Sequence, residues 1–289
     1  MPPKSKAKSG SSAPREQPLA LRGYLIAFNL VSFFGWVLIL STLVKHLAVG
    51  AQMPSYPIVF SSKVLARFRP LRVFLTSTYA HVPEPLGELL RRASTTMMSL
   101  GSLVAFVQSL AILEVVHAAL GWVRSPVPTT AIQVASRLFM VWGVSERFAA
   151  ASGSPWYASM VLAWSVTESV RYPFYANALM GQESEGLLWA RYTLFYILYP
   201  LGAGSEAMLI FSTLPSNLPP KGWDLRSYVF LALFTIWWPG LYVMYTHMMK
   251  QRKKAIGKGF WGDKRAHEKA EKRREQVQKA ARDVQKKSK

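Results

Sequence analysis

The sequence predicts an all-α polytopic membrane protein, built as a bundle of about six transmembrane helices. Hydrophobic residues make up 51% of the 289 residues, and they are collected in runs of about 20 residues, the length that a helix needs to cross a bilayer. The charged residues, which give a formal net charge of +20, are concentrated in the terminal segments and in one loop. Such segregation of apolar and basic stretches is typical of a membrane protein and unusual for a soluble domain.

The chain opens with a segment rich in lysine, serine and proline, residues 1–21, which we expect to be disordered and cytosolic. The apolar stretch from Gly23 to Val44 is too long for the hydrophobic region of a signal peptide and lacks a clear cleavage site, so we interpret it as the first transmembrane helix. A long first loop, 47–95, follows. Its stretch 57–80 is fairly apolar but is interrupted by four basic residues and by Pro70, which favours an amphipathic segment at the membrane interface.

Five further apolar runs predict the remaining spans. Together with the first helix they define a six-span membrane domain over residues 22–250, and short loops rich in proline or glycine separate them. The last run contains an aromatic group that includes Trp237, which we interpret as an interfacial belt. The five runs extend from about Thr96 to Trp122, Thr130 to Phe148, Trp156 to Met180, Leu188 to Leu214 and Tyr228 to Met248.

An even number of spans places both termini on one side of the membrane. The basic tail 251–289, counted together with Lys250, holds 16 basic and five acidic residues, so the positive-inside rule places it in the cytosol. The first loop disagrees, because its six basic and two acidic residues would face the lumen. The larger bias of the tail decides our assignment. The chain ends in Lys286-Lys287-Ser288-Lys289, and these lysines resemble a dilysine signal for retrieval to the endoplasmic reticulum.

Several ionisable residues interrupt the predicted spans. Glu114 lies in the second span and Arg137 in the third, while Glu168 and Arg171 lie three apart in the fourth. We expect these charges to neutralise one another inside the bundle, through pairs such as Glu114 with Arg137 and Glu168 with Arg171. His117, which has no second histidine nearby, is expected to be a hydrogen-bonded core residue. The chain has no cysteine, which excludes disulfides, thiolate metal sites and a cysteine nucleophile, and we predict no metal.

The fifth span carries the most informative stretch, residues 191–206, RYTLFYILYPLGAGSE. Tyr199 and Glu206 are seven residues apart and share one helix face, separated by about 10 Å of rise. A carboxylate at membrane depth costs about 2.5–3.5 kcal/mol, so it usually has a function. A phenol and a carboxylate that face one dry cleft are a plausible acid/base pair. The alternative is a lipid-facing tyrosine and a glutamate in a salt bridge with another helix. Pro200 between them can kink the helix.

The stretch 191–206 resembles the signature of the 3-hydroxyacyl-CoA dehydratases of very-long-chain fatty acid elongation, once labelled protein-tyrosine-phosphatase-like. Three further stretches resemble the same family in the same order. They are LEVVHAALGWVRSPVPTTAIQVASR (113–137), WSVTESVRYPFYA (164–176) and YVMYTHMMKQRKK (242–254). The resemblance covers roughly residues 22–254. The first loop is longer than the family needs, and the basic tail is an addition.

The resemblance implies an enzyme of the endoplasmic reticulum membrane, a hydro-lyase that converts (3R)-3-hydroxyacyl-CoA into trans-2-enoyl-CoA. Tyr199 and Glu206 are then the catalytic residues, and the sequence leaves open which is the base and which the acid. Elimination of water involves no net oxidation or reduction, so no cofactor is expected. The implied partners are the very-long-chain substrate, the lipid bilayer and the other elongation enzymes, with no nucleic acid. The preferred chain length is left open.

The substrate's CoA head carries phosphates and is expected to stay at the cytosolic face. Arg191, Arg124 and the cluster 250–254 lie on that side, and the candidates for substrate binding also include Arg137, Arg171 and Gly202. For Arg191, Arg124 and the cluster 250–254, the alternative is ordinary positive-inside anchoring. Two other functions remain open. The first is an ion- or proton-coupled transporter, which would use the charged residues of the spans, although no internal inverted repeat supports it. The second is a non-catalytic scaffold of the elongation complex.

Overall fold

The computed structural model describes residues 18–50, 84–182, 184–215 and 222–257, with isolated positions between 271 and 278. All regular elements within these ranges are helical. Our predictions for the segment before residue 18, for the interfacial segment 57–80 and for most of the basic tail lie outside the described residues. The helices are α1 (Leu19–Val49), α2 (Glu84–Ser94), α3 (Thr96–Ser109), α4 (Ile112–Ala119), α5 (Val127–Leu138), a π-helix (Phe139–Ser145), α6 (Ala149–Ser152), α7 (Pro155–Met180), α8 (Glu185–Thr193), α9 (Phe195–Ser212) and α10 (Leu225–Ala255).

Helix α7 lies at the centre of the bundle, with α1 packed along one side and α9 along another. Its start is well defined, because Ser154 accepts a hydrogen bond from the backbone N–H of Trp156 and Pro155 occupies the first helical position. It ends at Gly181, whose φ of 73° is the left-handed conformation that glycine adopts most easily. The predicted fourth span therefore agrees with α7 to within about a residue at each end.

Three predicted spans are not single, regular α-helices. The second is divided at Leu110 and Ala111 into α3 and α4, and the third continues from α5 into the π-helix. The fifth is divided at Leu194 into α8 and α9, which meet at 45°. The break at Leu194 was not predicted, since we expected Pro200 to cause any kink, whereas α9 continues through Pro200.

The membrane class is confirmed, and the count of six spans stays a prediction. By length and composition three helical segments of the described chain can cross a membrane, and a fourth if α8 and α9 count as one bent span. Helix α7 does not qualify, and its position explains this. A helix surrounded by other helices needs no continuous apolar surface for lipid, so it can carry charged residues such as Glu168 and Arg171. The three segments are Leu19–Val49, Thr96–Ala119 and Leu225–Ala255.

The two ends of the bundle differ. The tail end is the end where α1 begins and α10 finishes, and there Arg22 Nε donates to the carbonyl of Leu179 at 2.5 Å. The loop end is the end where the first loop leaves α1 and enters α2, and there Arg92 donates to the carbonyl of Leu47 at 3.0 Å. The closely packed apolar core occupies the half toward the loop end, with members such as Trp36, Ile39, Leu100, Val104, Met140, Val144, Met160 and Leu209. The tail-end half is more polar and aromatic.

A buried charge network joins α4, α5 and α7. Glu168, only 1% exposed, accepts hydrogen bonds from Arg171 Nε at 2.5 Å and from Arg137. Arg171 also binds both carboxylate oxygens of Glu114, at 2.6 and 2.8 Å, and Tyr172 donates to Glu114 at 2.6 Å. Two arginines therefore meet two glutamates, and the network has no net charge.

One expected pair is wrong. Glu114 does not pair with Arg137, because both side chains point at α7, where Glu114 meets Arg171 and Arg137 meets Glu168. The expected pair of Glu168 with Arg171 is present. His117 is a buried core residue, as expected, with Nε2 at 3.0 Å from the hydroxyl of Tyr24.

The first prediction concerns this network. Glu168→Gln keeps the side-chain volume but leaves Arg137 and Arg171 with one carboxylate between them, and loss of one member of a buried ion pair costs about 3–5 kcal/mol. We expect a lower midpoint of thermal unfolding for the purified protein in detergent. Glu88→Gln is the matched control. Glu88 pairs with Arg91 and Arg92 at an exposed site, and the two arginines lower the pKa of its carboxyl, but solvent screens such pairs. Equal effects of the two substitutions would contradict the structural role of Glu168.

Candidate active site

Helix α9 carries both predicted catalytic residues and is packed closely against α7. Gly202 faces α7, and a Cβ at this position would lie 3.4 Å from Cβ of Ala163. One turn further on, the hydroxyl of Ser205 lies 2.6 Å from the hydroxyl of Ser159 on α7. Small residues at such a contact allow two helices to approach closely within a membrane. Gly202 is thus placed as a helix-packing residue beside the site.

Glu206 is held by two tryptophans from different helices. The indole N–H of Trp164, on α7, donates to Oε1 at 2.8 Å, and the indole N–H of Trp237, on α10, donates to Oε2 at 3.2 Å. Among the described residues no lysine, arginine or histidine forms a salt bridge with this carboxylate. The alternative of an interhelical salt bridge at Glu206 is therefore not what the structure shows. The two hydrogen bonds fix the orientation of the carboxylate and leave it without a counter-ion in direct contact.

Trp164 connects Glu206 to the charge network. The guanidinium of Arg137 lies over the Trp164 ring, 5.2 Å from its centroid, in the geometry of a cation–π contact. Glu168, one turn along α7, binds the same guanidinium. Arg137 interacts electrostatically with Glu206 and with Tyr199. Arg171, by contrast, is fully engaged by Glu114 and Glu168.

Tyr199 is half-buried on α9. Its hydroxyl makes no hydrogen bond to any residue that the structure describes. This hydroxyl interacts electrostatically with Glu206 and Arg137. Tyr199 and Glu206 are separated by about 10 Å of rise along α9. The hydroxyl is therefore available to a ligand. A ligand group that reaches both Tyr199 and Glu206 has to lie along this face of α9.

The predicted head-group arginines lie at the tail end. Arg191 Nη2 donates to the hydroxyl of Tyr175 at 2.9 Å, and its guanidinium lies 4.7 Å from the ring centroids of both Phe174 and Tyr175. Its Nη1 is buried, and no acceptor for it is found within the described ranges. Arg252 lies nearby over the ring of Tyr196, at 5.7 Å.

Arg124 is exposed in the connection between α4 and α5. It is close in sequence to Trp122, whose ring contacts Tyr24 at the same end of the bundle, 5.9 Å between centroids. The predicted site residues thus form two groups, one around Glu206 in the middle of α9 and one at the tail end.

Sequence reasoning missed the two tryptophans. Trp237 was assigned to an interfacial belt, yet its N–H points at Glu206. Trp164 lies four residues before Glu168 in one of the four motif stretches, but no spacing rule connects it to a residue 42 positions away. The only available signal was chemical, because an indole is a donor that can be buried at low cost beside a carboxylate. Within the described residues no group of three histidine, aspartate or glutamate side chains is arranged to hold a metal ion.

Comparison with known proteins places the chain in a family. A family model described as "Protein tyrosine phosphatase-like protein, PTPLA" matches residues 108–258. A Caenorhabditis elegans protein named very-long-chain (3R)-3-hydroxyacyl-CoA dehydratase is 33% identical over 253 residues, which cover 83% of this chain and 98% of the relative. The human very-long-chain (3R)-3-hydroxyacyl-CoA dehydratase 2 is 32% identical over 251 residues, covering 83% of this chain and 82% of the relative.

A Schizosaccharomyces pombe protein named "Probable very-long-chain (3R)-3-hydroxyacyl-CoA dehydratase" is 50% identical over 155 residues, which cover 53% of this chain and 73% of the relative. No solved structure matches the chain. The resemblance carried by the four motif stretches is therefore confirmed. The chain belongs to the protein-tyrosine-phosphatase-like family of very-long-chain (3R)-3-hydroxyacyl-CoA dehydratases.

Proposed function

We propose that this protein removes water from a (3R)-3-hydroxyacyl-CoA to give the trans-2-enoyl-CoA of very-long-chain fatty acid elongation, and that Tyr199 and Glu206 perform the acid/base chemistry. The observation that carries the proposal is the environment of Glu206. Its carboxylate is held by two neutral indole N–H groups, on the helix that also presents the hydroxyl of Tyr199. Among the described residues the carboxylate has no counter-ion in direct contact and the hydroxyl has no hydrogen-bond partner. Family membership supplies the reaction that such a pair would catalyse.

The reaction needs a base and an acid. A base removes the C2 proton, the C2–H electron pair forms the C2=C3 double bond, and the C3–O bond breaks as an acid protonates the departing hydroxyl. Glu206 suits the first task, because an oriented carboxylate without a counter-ion in direct contact is a competent base. Tyr199 suits the second, since its hydroxyl has no hydrogen-bond partner in the described part of the chain. The opposite assignment uses the same two groups in reverse. Oxidation states do not change overall, so the step requires no redox cofactor.

Arg137 supports this chemistry through charge. Removal of the C2 proton places negative charge on the thioester oxygen, and a fixed positive charge nearby stabilises it. Arg137 is fixed by Glu168 and by the Trp164 ring, and it interacts electrostatically with both Glu206 and Tyr199. We therefore assign Arg137 to the substrate's thioester end and Arg171 to the structural network alone.

The tail end suits the CoA head group. Arg191 has a buried Nη1 donor without an acceptor in the described part of the chain, and phosphate oxygens are good acceptors for guanidinium. Arg252, Arg124 and the basic residues of 250–254 add positive charge at this end. We propose that this end faces the cytosol and that the membrane is that of the endoplasmic reticulum, in agreement with the basic tail and its final lysines.

The rival functions find less support. A proton- or ion-conducting path needs charged groups that are free to exchange partners, whereas Glu114, Arg137, Glu168 and Arg171 pair with one another in a closed, neutral network. A scaffold needs no half-buried tyrosine beside a carboxylate. Formation of enoyl-CoA by the purified protein would separate the enzyme from both alternatives.

The second prediction tests the catalytic pair. Tyr199→Phe removes only a hydroxyl and Glu206→Gln only a charge, so each should leave folding intact and lower turnover about 100-fold or more, the usual contribution of a positioned proton-transfer group. The double variant should be little worse than the poorer single one, because the two residues act together. Tyr242→Phe, at a position that is 71% exposed, and Glu185→Gln are matched controls outside the site and should keep turnover. Wild-type turnover in both single variants, at normal abundance, would exclude this catalytic assignment.

The third prediction concerns the tryptophans. Trp237→Phe removes the N–H that donates to Glu206, and a hydrogen bond to a charged group contributes about 1.5–3 kcal/mol. We expect kcat to fall by about tenfold or more. Trp238→Phe is the control, because the neighbouring ring packs against Phe234 and makes no hydrogen bond to Glu206 within the described residues. Equal kcat values for these two variants would show that the indole of Trp237 does not act on the carboxylate.

The fourth prediction concerns the head group. Arg191→Gln should raise KM for hydroxyacyl-CoA by about tenfold, the value of one lost charge-assisted hydrogen bond. It should leave KM unchanged for the matching N-acetylcysteamine thioester, which lacks the nucleotide phosphates. Arg91→Gln, at the loop end, removes the same charge as a control and should change neither constant. A parallel rise in KM for both thioesters after Arg191→Gln would place Arg191 outside the phosphate site.

A further inference from the structure

An open groove lies on the outer side of the bundle near the loop end, between the π-helix and the first turns of α10. It encloses about 730 Å³, within the range of small-molecule binding sites. Its walls are mostly apolar and aromatic and include Phe139, Trp142 and Phe230, while Arg147 and Arg226 lie at its loop end. In a chain that spans a membrane, such a groove faces hydrocarbon, so an apolar occupant enters it without leaving water.

The two walls of the groove belong to helical segments that also carry residues of the candidate active site. One wall begins at Leu138, the residue after Arg137, whose guanidinium interacts electrostatically with Glu206 and Tyr199. On the opposite wall, Phe230 precedes Trp237 by seven residues, so both lie on one face of α10, separated by about 10 Å. Trp237 donates to Glu206. Both walls therefore lead from the site of chemistry toward the loop end, away from Arg191.

The shape of the substrate fits this direction. If the CoA head is bound at the tail end and C2 and C3 lie beside Glu206 and Tyr199, the carbon chain beyond C3 has to run toward the loop end. We propose that this groove holds the distal part of the substrate's acyl tail, and that Arg147 and Arg226 limit the length of the chain that it accepts. This inference rests on the proposed dehydratase function and assigns residues to its chain-length preference.

The positive charges of Arg147 and Arg226 at the loop end limit the length of the acyl chain. Arg226 pairs with Asp224 at 3.3 Å, and its guanidinium lies 5.2 Å from the ring centroid of Phe148. Arg147 forms no salt bridge with any described residue, and its side chain is exposed. A methyl terminus that passes these two guanidinium groups moves from hydrocarbon into charged, hydrated surroundings. A methylene kept in the groove stays in apolar surroundings, whereas each one beyond it is exposed to water, which disfavours binding.

The width of the groove depends on one glycine. A Cβ on Gly143 would lie 2.7 Å from Cδ2 of Phe139, too close for the ring to keep its position. The Phe139 ring packs against Phe230 across the groove, 5.7 Å between centroids. Glycine at position 143 thus leaves the Phe139 ring in place as a wall of the groove.

The test uses the full-length protein in detergent or nanodiscs and a series of (3R)-3-hydroxyacyl-CoA substrates of increasing chain length. The quantity compared is the ratio of kcat/KM for the longest and the shortest substrate. Replacing both charges, Arg147→Leu with Arg226→Leu, extends the apolar surface, so the ratio should rise by about fourfold (0.8 kcal/mol) for each further methylene buried. Leu138→Trp fills the start of the groove and should lower the ratio.

Two controls separate this effect from general ones. Arg91→Leu removes a loop-end charge outside the groove, and Ile132→Trp adds a ring on an exposed face of α5, where the native side chain is 70% exposed. Neither should change the ratio. If wild type turns over every substrate and the ratio is the same in all variants, the groove is filled by bilayer lipid and the inference is wrong. If wild type dehydrates no substrate of any length, the proposed function fails and the inference fails with it.

Discussion

The carboxylate of Glu168 is the constraint on which the rest of the bundle depends. A charge in the membrane interior needs partners, and Glu168 finds two arginines, one from its own helix and one from α5. The second arginine lies over Trp164, and the Trp164 N–H holds Glu206. A structural ion pair and the candidate base are therefore connected through one indole ring. Displacement of Arg137 would change the support of Trp164 before it changed any contact of Glu206 itself.

The two central carboxylates illustrate how partners determine a role. Each oxygen of Glu168 accepts a hydrogen bond from a guanidinium group, so two cations neutralise its charge. Glu206 receives one indole N–H on each oxygen and keeps its remaining acceptor capacity. Neutral donors orient a carboxylate without neutralising it, so the group stays reactive. Glutamate thus forms a structural ion pair on α7 and is a candidate catalytic residue on α9.

Periodicity and composition were sufficient for the class of fold but not for its details. Long apolar runs predicted the helices, and the agreement is close for α7, whose serine, proline and glycine ends are visible in the sequence. The breaks at Leu110 and Leu194 could not be predicted, because no proline or glycine marks them and tertiary packing decides where such a helix divides. The pairing of Glu114 failed for a similar reason. The position of Glu114 on its helix predicts that the carboxylate points into the bundle. Whether its partner is Arg137 or Arg171 depends on which helix lies at the centre.

The candidate site was predicted in part. Tyr199 and Glu206 stood out because a phenol and a carboxylate in an apolar run are chemically unusual, and the motif stretches pointed to the same two residues. Trp164 and Trp237 did not stand out, since tryptophan is common in membrane helices and its hydrogen-bond partner depends on rotation of the helix. Arg137, Arg171 and Gly202 were grouped together from sequence, and the structure separates them into a cation beside the site, a member of the ion network and a helix contact.

The bend at Leu194 has a mechanical consequence. Arg191 belongs to α8 and Tyr199 to α9, and the two helices meet at 45°. Each helix keeps its own internal hydrogen bonds, so a change of the angle between them would move α8 as a unit relative to α9. A change of this angle would alter the distance between Arg191, proposed to bind the head group, and Tyr199, proposed as the acid at the C3 hydroxyl, while α9 stayed packed on α7 through Gly202 and Ser205. A long, amphiphilic substrate would then bind first through its head group, and a change of the angle would afterwards bring its C2 and C3 to the catalytic residues.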